Sequence, residues 1–169
     1  MGYIITTYCD IFVKNNNGNI EYKTPNGVSI NVIEFHSIAQ APYHPNVSNK
    51  QFPKFTNPWS ITTPKGYSSL FIPPVHGANP YFTILEGLVD TDKYTNPVNF
   101  PFTLNDLNFE GLIPAGTPVA QIIPIKKESW IIEKGSNKNL LKIEQEKSIL
   151  NSRFYDKYKK MFWSKKEYN

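Results

Sequence analysis

Residues 84–125 read ILEGLVDTDKYTNPVNFPFTLNDLNFEGLIPAGTPVAQIIPI. Apolar runs of strand length end at Val89 and then cover Val98–Leu104, Phe109–Ile113 and Val119–Ile125, separated by clusters of Asp, Asn, Pro and Gly. Those four residue types favour turns, because Gly and Asn tolerate positive φ, Pro presets φ, and Asp and Asn bond their own backbone. The rhythm leaves no room for helices between strands, so it predicts an antiparallel barrel or sandwich, not βαβ units. Two runs end in unusual chemistry. Asp90 and Asp92 directly follow the first, and a Pro114-Ala115-Gly116 turn feeds the last.

Working outward, the same pattern continues toward the N-terminus. Pro64-Lys65-Gly66 separates Trp59–Thr63 from Tyr67–Ile72 and predicts a hairpin. Pro73–Pro80 (PPVHGANP) reads as a rigid loop before a strand over Tyr81–Val89. Earlier, strands are expected over Tyr3–Val13, Ile20–Lys23 and Val28–His36, broken by Asn15–Asn19 and by Pro25-Asn26-Gly27. Residues 41–58 lack periodicity and read as a long ordered loop. Beyond Ser136 the period becomes helical. Leu140, Ile143, Leu150, Phe154, Tyr158 and Phe162 would form one apolar stripe of a helix over Leu140–Phe162, with Ser136 or Asn137 as its N-cap. The division expected is a β domain over residues 1–130 and a basic helical tail over 131–169.

Composition narrows the function classes. A chain of 169 residues has one domain with a core plus an appendage. Its single Cys9 excludes an internal disulfide and a multi-cysteine zinc site. With no long apolar run, a soluble cytoplasmic setting is expected, in the host cytoplasm if the protein is viral. Residues 134–169 carry ten Lys or Arg against four Asp or Glu, so the preceding β part is close to neutral. A neutral β body gives no strong nucleic-acid signal. The basic tail reads as a solvated helix face, and membrane contact by its Met161-Phe162-Trp163 end is not expected.

The order of parts in residues 84–125 resembles the core of the trimeric dUTPase and dCTP deaminase family, a β-clip fold. The matching residues are Gly87, Leu88, Val89, Asp90, Asp92, Tyr94, Gly116, Val119, Ala120, Gln121, Ile122 and Ile123. The resemblance implies an all-β, dUTPase-like barrel or sandwich of short strands, to which the C-terminal amphipathic helix is added, assembled as a homo-oligomer with a trimer as first expectation. It also implies a ligand surface at one edge formed by Lys65, Tyr67, His76, Asp90 and Tyr94, suited to a small anionic ligand such as a nucleotide. In an enzyme of this family Asp90 would order the attacking water and Mg²⁺ would spread the phosphate charge. The chain departs from the family where an arginine-serine-glycine anion site is required, since it has Phe71-Ile72-Pro73-Pro74-Val75-His76-Gly77 instead. A glycine-rich closing arm is absent from the sequence as well.

Other chemistries find less support. His36, His44 and His76 raise a cupin-like metal centre, but no His-x-His pair exists, and no metal site is assigned. Phosphate-binding glycine loops and serine elbows are missing. Over residues 2–130 the segments GYII, NPWSITTPKGYSSLF, GLVDTDKY, NFPF and IPAGTPVAQIIPIKKESW resemble an uncharacterised family of tailed bacteriophages and some bacteria. Together these readings give a viral-type, non-enzymatic protein that binds a small ligand or a partner. The alternatives are a Mg²⁺-dependent nucleotide hydrolase using Asp90, a structural or assembly protein of a phage, and a cupin-like metal-binding protein.

Overall fold

The structure, a computed structural model, describes residues 2–16, 19–36, 52–77, 79–151 and 157–163. Among these residues the short apolar runs form eleven strands: β1 Tyr3–Thr6, β2 Ile11–Asn16, β3 Asn19–Lys23, β4 Ile33–His36, β5 Phe52–Phe55, β6 Tyr67–Ile72, β7 Phe82–Ile84, β8 Gly87–Val89, β9 Phe100–Leu104, β10 Glu110–Ile113 and β11 Pro118–Lys126. They pair antiparallel in three sheets, ordered β1-β11-β6-β8, β10-β2-β3 and β4-β5-β9-β7. The protein is all-β, as expected, with open sheets and not a closed barrel among the described residues. The core is aromatic where β5, β7 and β9 meet: Phe55 stacks on Phe102 at 4.1 Å between centroids, and Phe82 sits 4.6 Å from Phe55. Ile11, Val13, Ile113, Ala120 and Ile122 carry that core into the other two sheets.

Four turns share one construction. In Pro25–Val28, Pro64–Tyr67, Pro74–Gly77 and Pro114–Thr117 the fourth residue's N–H donates to the proline carbonyl, at 3.2 to 3.4 Å. Each third residue has positive φ, as a type II turn requires. Gly27, Gly66 and Gly116 supply it at 94°, 88° and 81°, whereas His76 supplies it at 60° as the one non-glycine residue with positive φ among those described.

Several expectations need correction. Tyr3–Val13 is two strands in different sheets, because the 114–117 turn captures the chain between them. Thr7 N–H donates to Thr117 O (2.9 Å), Thr7 Oγ1 to Pro114 O (2.8 Å), and Ala115 N–H to Asp10 Oδ1 (2.8 Å). Val28–His36 contributes only β4, since Thr56 ties down Asn31 and Val32 through their carbonyls before pairing begins. The loop expected over 41–58 contains β5; its residues 41–51 lie outside the described residues. Trp59–Thr63 makes no ladder, so the expected hairpin is a turn into β6, whose neighbours are β11 and β8. Tyr81–Val89 divides into β7 and β8, which join separate sheets.

Contacts divide the chain into two compact units, Met1–Glu128 and Ser129–Asn169. The second holds α1 Asn137–Asn151 and α2 Lys157–Phe162, and α1 starts one turn earlier than the apolar stripe suggests. Ser136 precedes it, and its carbonyl accepts from Asn139 and Leu140. Leu141 and Ile149, both exposed, lie about 100° and 180° around the axis from Leu140, so apolar residues of α1 are not confined to one stripe. The stripe's Phe154 lies outside the described residues. No helix among the described residues is long and apolar enough to cross a membrane.

Candidate functional site

The Asp90-Thr91-Asp92 sequence follows β8, pairs through its neighbours with β6, and meets the residue after β11. Thr91 points inward and is almost fully buried. Its hydroxyl lies 2.8 Å from that of Thr63 and 2.8 Å from that of fully buried Ser69. Thr63 also donates from its backbone N–H to Thr91 O (3.2 Å) and from Oγ1 to Tyr67 O (3.2 Å). These hydroxyls satisfy one another, which a buried polar group requires.

The two flanking carboxylates close on one cation. Lys127 Nζ donates to Asp92 Oδ1 at 2.7 Å and to Asp90 Oδ1 at 2.9 Å. Asp92 Oδ2 accepts the Gly66 N–H at 3.0 Å, while Asp90 Oδ1 also accepts from Ser68 Oγ at 2.7 Å. Lys127 N–H in turn donates to Gly66 O at 2.8 Å. The result is a clasp that joins the 64–67 turn, the end of β8 and the end of β11. Asp92 is 5% exposed in its side chain and Asp90 57%. The Ser68 hydroxyl and then Lys127 hold the Asp90 carboxyl below its ordinary value; Lys127 and then the Gly66 N–H do the same for Asp92. Asp92, followed by Asp90, pushes the Lys127 ammonium up.

That chemistry bears on catalysis. A general base works best with a pKa near the working pH, and Asp90 has been moved the other way. Mg²⁺, which the resemblance implies for a hydrolase, needs carboxylate oxygens; Lys127 holds Oδ1 of both Asp90 and Asp92, and the Gly66 N–H holds Oδ2 of Asp92. The residues do not fit the ion. Among the described residues no three His, Cys, Asp or Glu side chains come together as a metal-binding group. His36 ends β4, opposite Phe52, and His44 lies outside the described residues.

The five residues expected to form a ligand surface are only partly brought together. Lys65 sits exposed in the turn beside the clasp, Tyr67 opens β6 there, and Asp90 belongs to the clasp. Tyr94 stays close through its backbone, donating its N–H to Asp90 O at 2.9 Å. His76 is the correction. It follows the opposite end of β6, beyond Ile72, roughly 17 Å of strand away. There the neighbouring Val75 N–H donates to Gln121 Oε1 at 2.8 Å.

Sequence reasoning missed Lys127, because it stands 35 residues after Asp92 with no motif linking them. It also missed an open hollow of about 610 Å³ lined by Phe12, Lys14, Ile20, Tyr22, Phe35 and Glu110. Lys14 is bonded there to Glu110 at 2.9 Å. A second hollow, near 40 Å³ beside Tyr8 and Trp59, has room for about one water. Neither hollow is lined by the Lys65 and Asp90 cluster. Comparison with known proteins finds no matching family model and no matching curated protein.

Proposed function

We propose that this chain is a non-catalytic binding protein of viral type that works by docking to a partner or a small ligand and does not hydrolyse a nucleotide. The observation that carries the reading is Lys127, whose single ammonium pairs with both Asp90 and Asp92, the aspartates that carry the catalytic resemblance. A base with a lowered pKa and a cation on it is poorly placed to activate water. The test is incubation of the purified chain with dUTP or dCTP and Mg²⁺. Negligible turnover is expected. Turnover of about 1–10³ s⁻¹, an ordinary enzyme rate, abolished by Asp90→Asn, would replace this reading with a hydrolase.

The hollow near Phe12 favours a small ligand as a second reading, since about 610 Å³ is within the range of small-molecule sites. A thermal-shift screen of mono-, di- and cyclic nucleotides locates such a ligand. Stabilisation lost in Phe12→Ala would place it in the hollow. Stabilisation lost in Lys65→Ala would place it beside the clasp.

A further inference from the structure

The ladders assign every residue of the β1-β11-β6-β8 sheet to a face, because directly paired residues point the same way. Ile5, Ala120, Ile122, Phe71, Ser69 and Val89 face the core. The opposite face has three rows: Ile4, Gln121 and Ile72; Ile123, Leu70 and Leu88; Ile125 and Ser68. Leu88 is 63% exposed, Ile4 55% and Ile125 40%, and Leu70, Ile72 and Ile123 are half-buried. None of the eight is charged. An antiparallel sheet with one wet face normally alternates apolar with polar residues, whereas six of these eight outer residues are apolar and the two polar ones, Gln121 and Ser68, are buried.

We infer that this outer face is the contact between two copies of the chain, packed sheet against sheet about a two-fold axis. The inference rests on the reading of the protein as one that works by binding, and it names the partner. In a two-fold contact each patch meets its own copy, so any charge on it would face a like charge. This face carries none. At the Ser68 end the Asp90 carboxylate accepts from Ser68 and from Lys127, which also holds Asp92. An acidic or basic partner would find no complementary group on the rows themselves. In sheet order the strands have four, nine, six and three residues, and together they cover at most roughly 19 by 20 Å, or about 400 Å² in projection. A standard interface buries about 800 Å² on each side, so the rows form its apolar centre and the surface around them its rim. A single self-matching patch closes with two copies, in contrast to the threefold assembly implied by the resemblance to dUTPases.

Sedimentation velocity of the full chain across the micromolar range tests this. The expected species has twice the chain's mass at the upper concentrations. Leu88→Lys should raise the dissociation constant by roughly a hundredfold or more, since each copy would bury an unpaired ammonium. Ile4→Lys should do the same, and it decides the matter if circular dichroism shows Leu88→Lys unfolded. Leu112→Lys, at a 49% exposed position of the β10-β2-β3 sheet, should leave association unchanged. A monomer at every concentration, a threefold species, association untouched by both Leu88→Lys and Ile4→Lys, or equal weakening by Leu112→Lys would overturn the inference. None of these outcomes depends on nucleotide turnover, so this test and the hydrolysis test can fail separately.

Discussion

The clasp around Asp90 and the outer rows around Leu88 lie on one sheet, and they differ in how far their chemistry is already satisfied. In the clasp, Thr63, Ser69 and Thr91 use their hydroxyls on one another, and two carboxylates share Lys127. On the rows, Leu88 and Ile4 meet water. A group with its partners inside the chain contributes to folding, whereas surface still facing solvent can gain free energy only from something outside. The motif with the look of catalysis is therefore satisfied within the fold, and the aliphatic rows are the surface we propose for association.

The strongest challenge to that contrast is Thr91→Val. It keeps the shape of the side chain but leaves the fully buried Ser69 hydroxyl short of a partner, while Thr63 keeps the Tyr67 carbonyl, at a cost of about 1 to 3 kcal/mol. Denaturant unfolding should show the midpoint falling accordingly; an unchanged midpoint would remove Thr91 as the centre of the clasp. Gly66→Ala is next. No atom lies within 4 Å of the added Cβ, so the cost is that of positive φ alone, about 1 to 2 kcal/mol.

Charge gives a smaller effect with a signature in pH. The lowered carboxyls of Asp90 and Asp92 contribute stability above their unfolded pKa of about 3.9, and lose it as pH falls through the folded values. The raised ammonium of Lys127 contributes fully below its unfolded pKa of about 10.4 and loses that contribution as pH rises through the folded value. Lys127→Met should therefore be less stable than the parent near neutral pH, with the difference narrowing in strong acid and strong base. A difference constant across pH would mean that packing by the lysine stem, not charge, holds the clasp. The smallest expected change has the opposite sign. His76→Gly relieves the non-glycine positive φ and, after the entropy glycine loses on folding, should stabilise by less than about 1 kcal/mol.

Much of the scaffold was legible because its turns are spelled locally. Pro64-Lys65-Gly66 and Pro114-Ala115-Gly116 mark their turns within four residues, and the runs now seen as β6 and β11 stand directly beside them. Features that depend on distant partners were not. β5 contains Pro53, a residue that argues against an inner strand, yet it pairs with both β4 and β9. The division of Tyr81–Val89 follows from a change of sheet that no residue announces. Asp90 and Asp92 were visible, but their role depended on Lys127, far along the chain. A signal for the outer rows was present and went unread: Ile122, Ile123 and Ile125 are apolar on both parities of one strand, the pattern of a strand buried on both faces.

The most direct test of the contrast is Tm measured against protein concentration for the parent, Asp90→Asn and Leu88→Lys together. Association raises Tm with concentration because only the folded chain pairs. The account predicts that the parent and Asp90→Asn share the same concentration dependence, with Asp90→Asn lower throughout, and that Leu88→Lys shows none. A dependence lost in Asp90→Asn and retained in Leu88→Lys would contradict it.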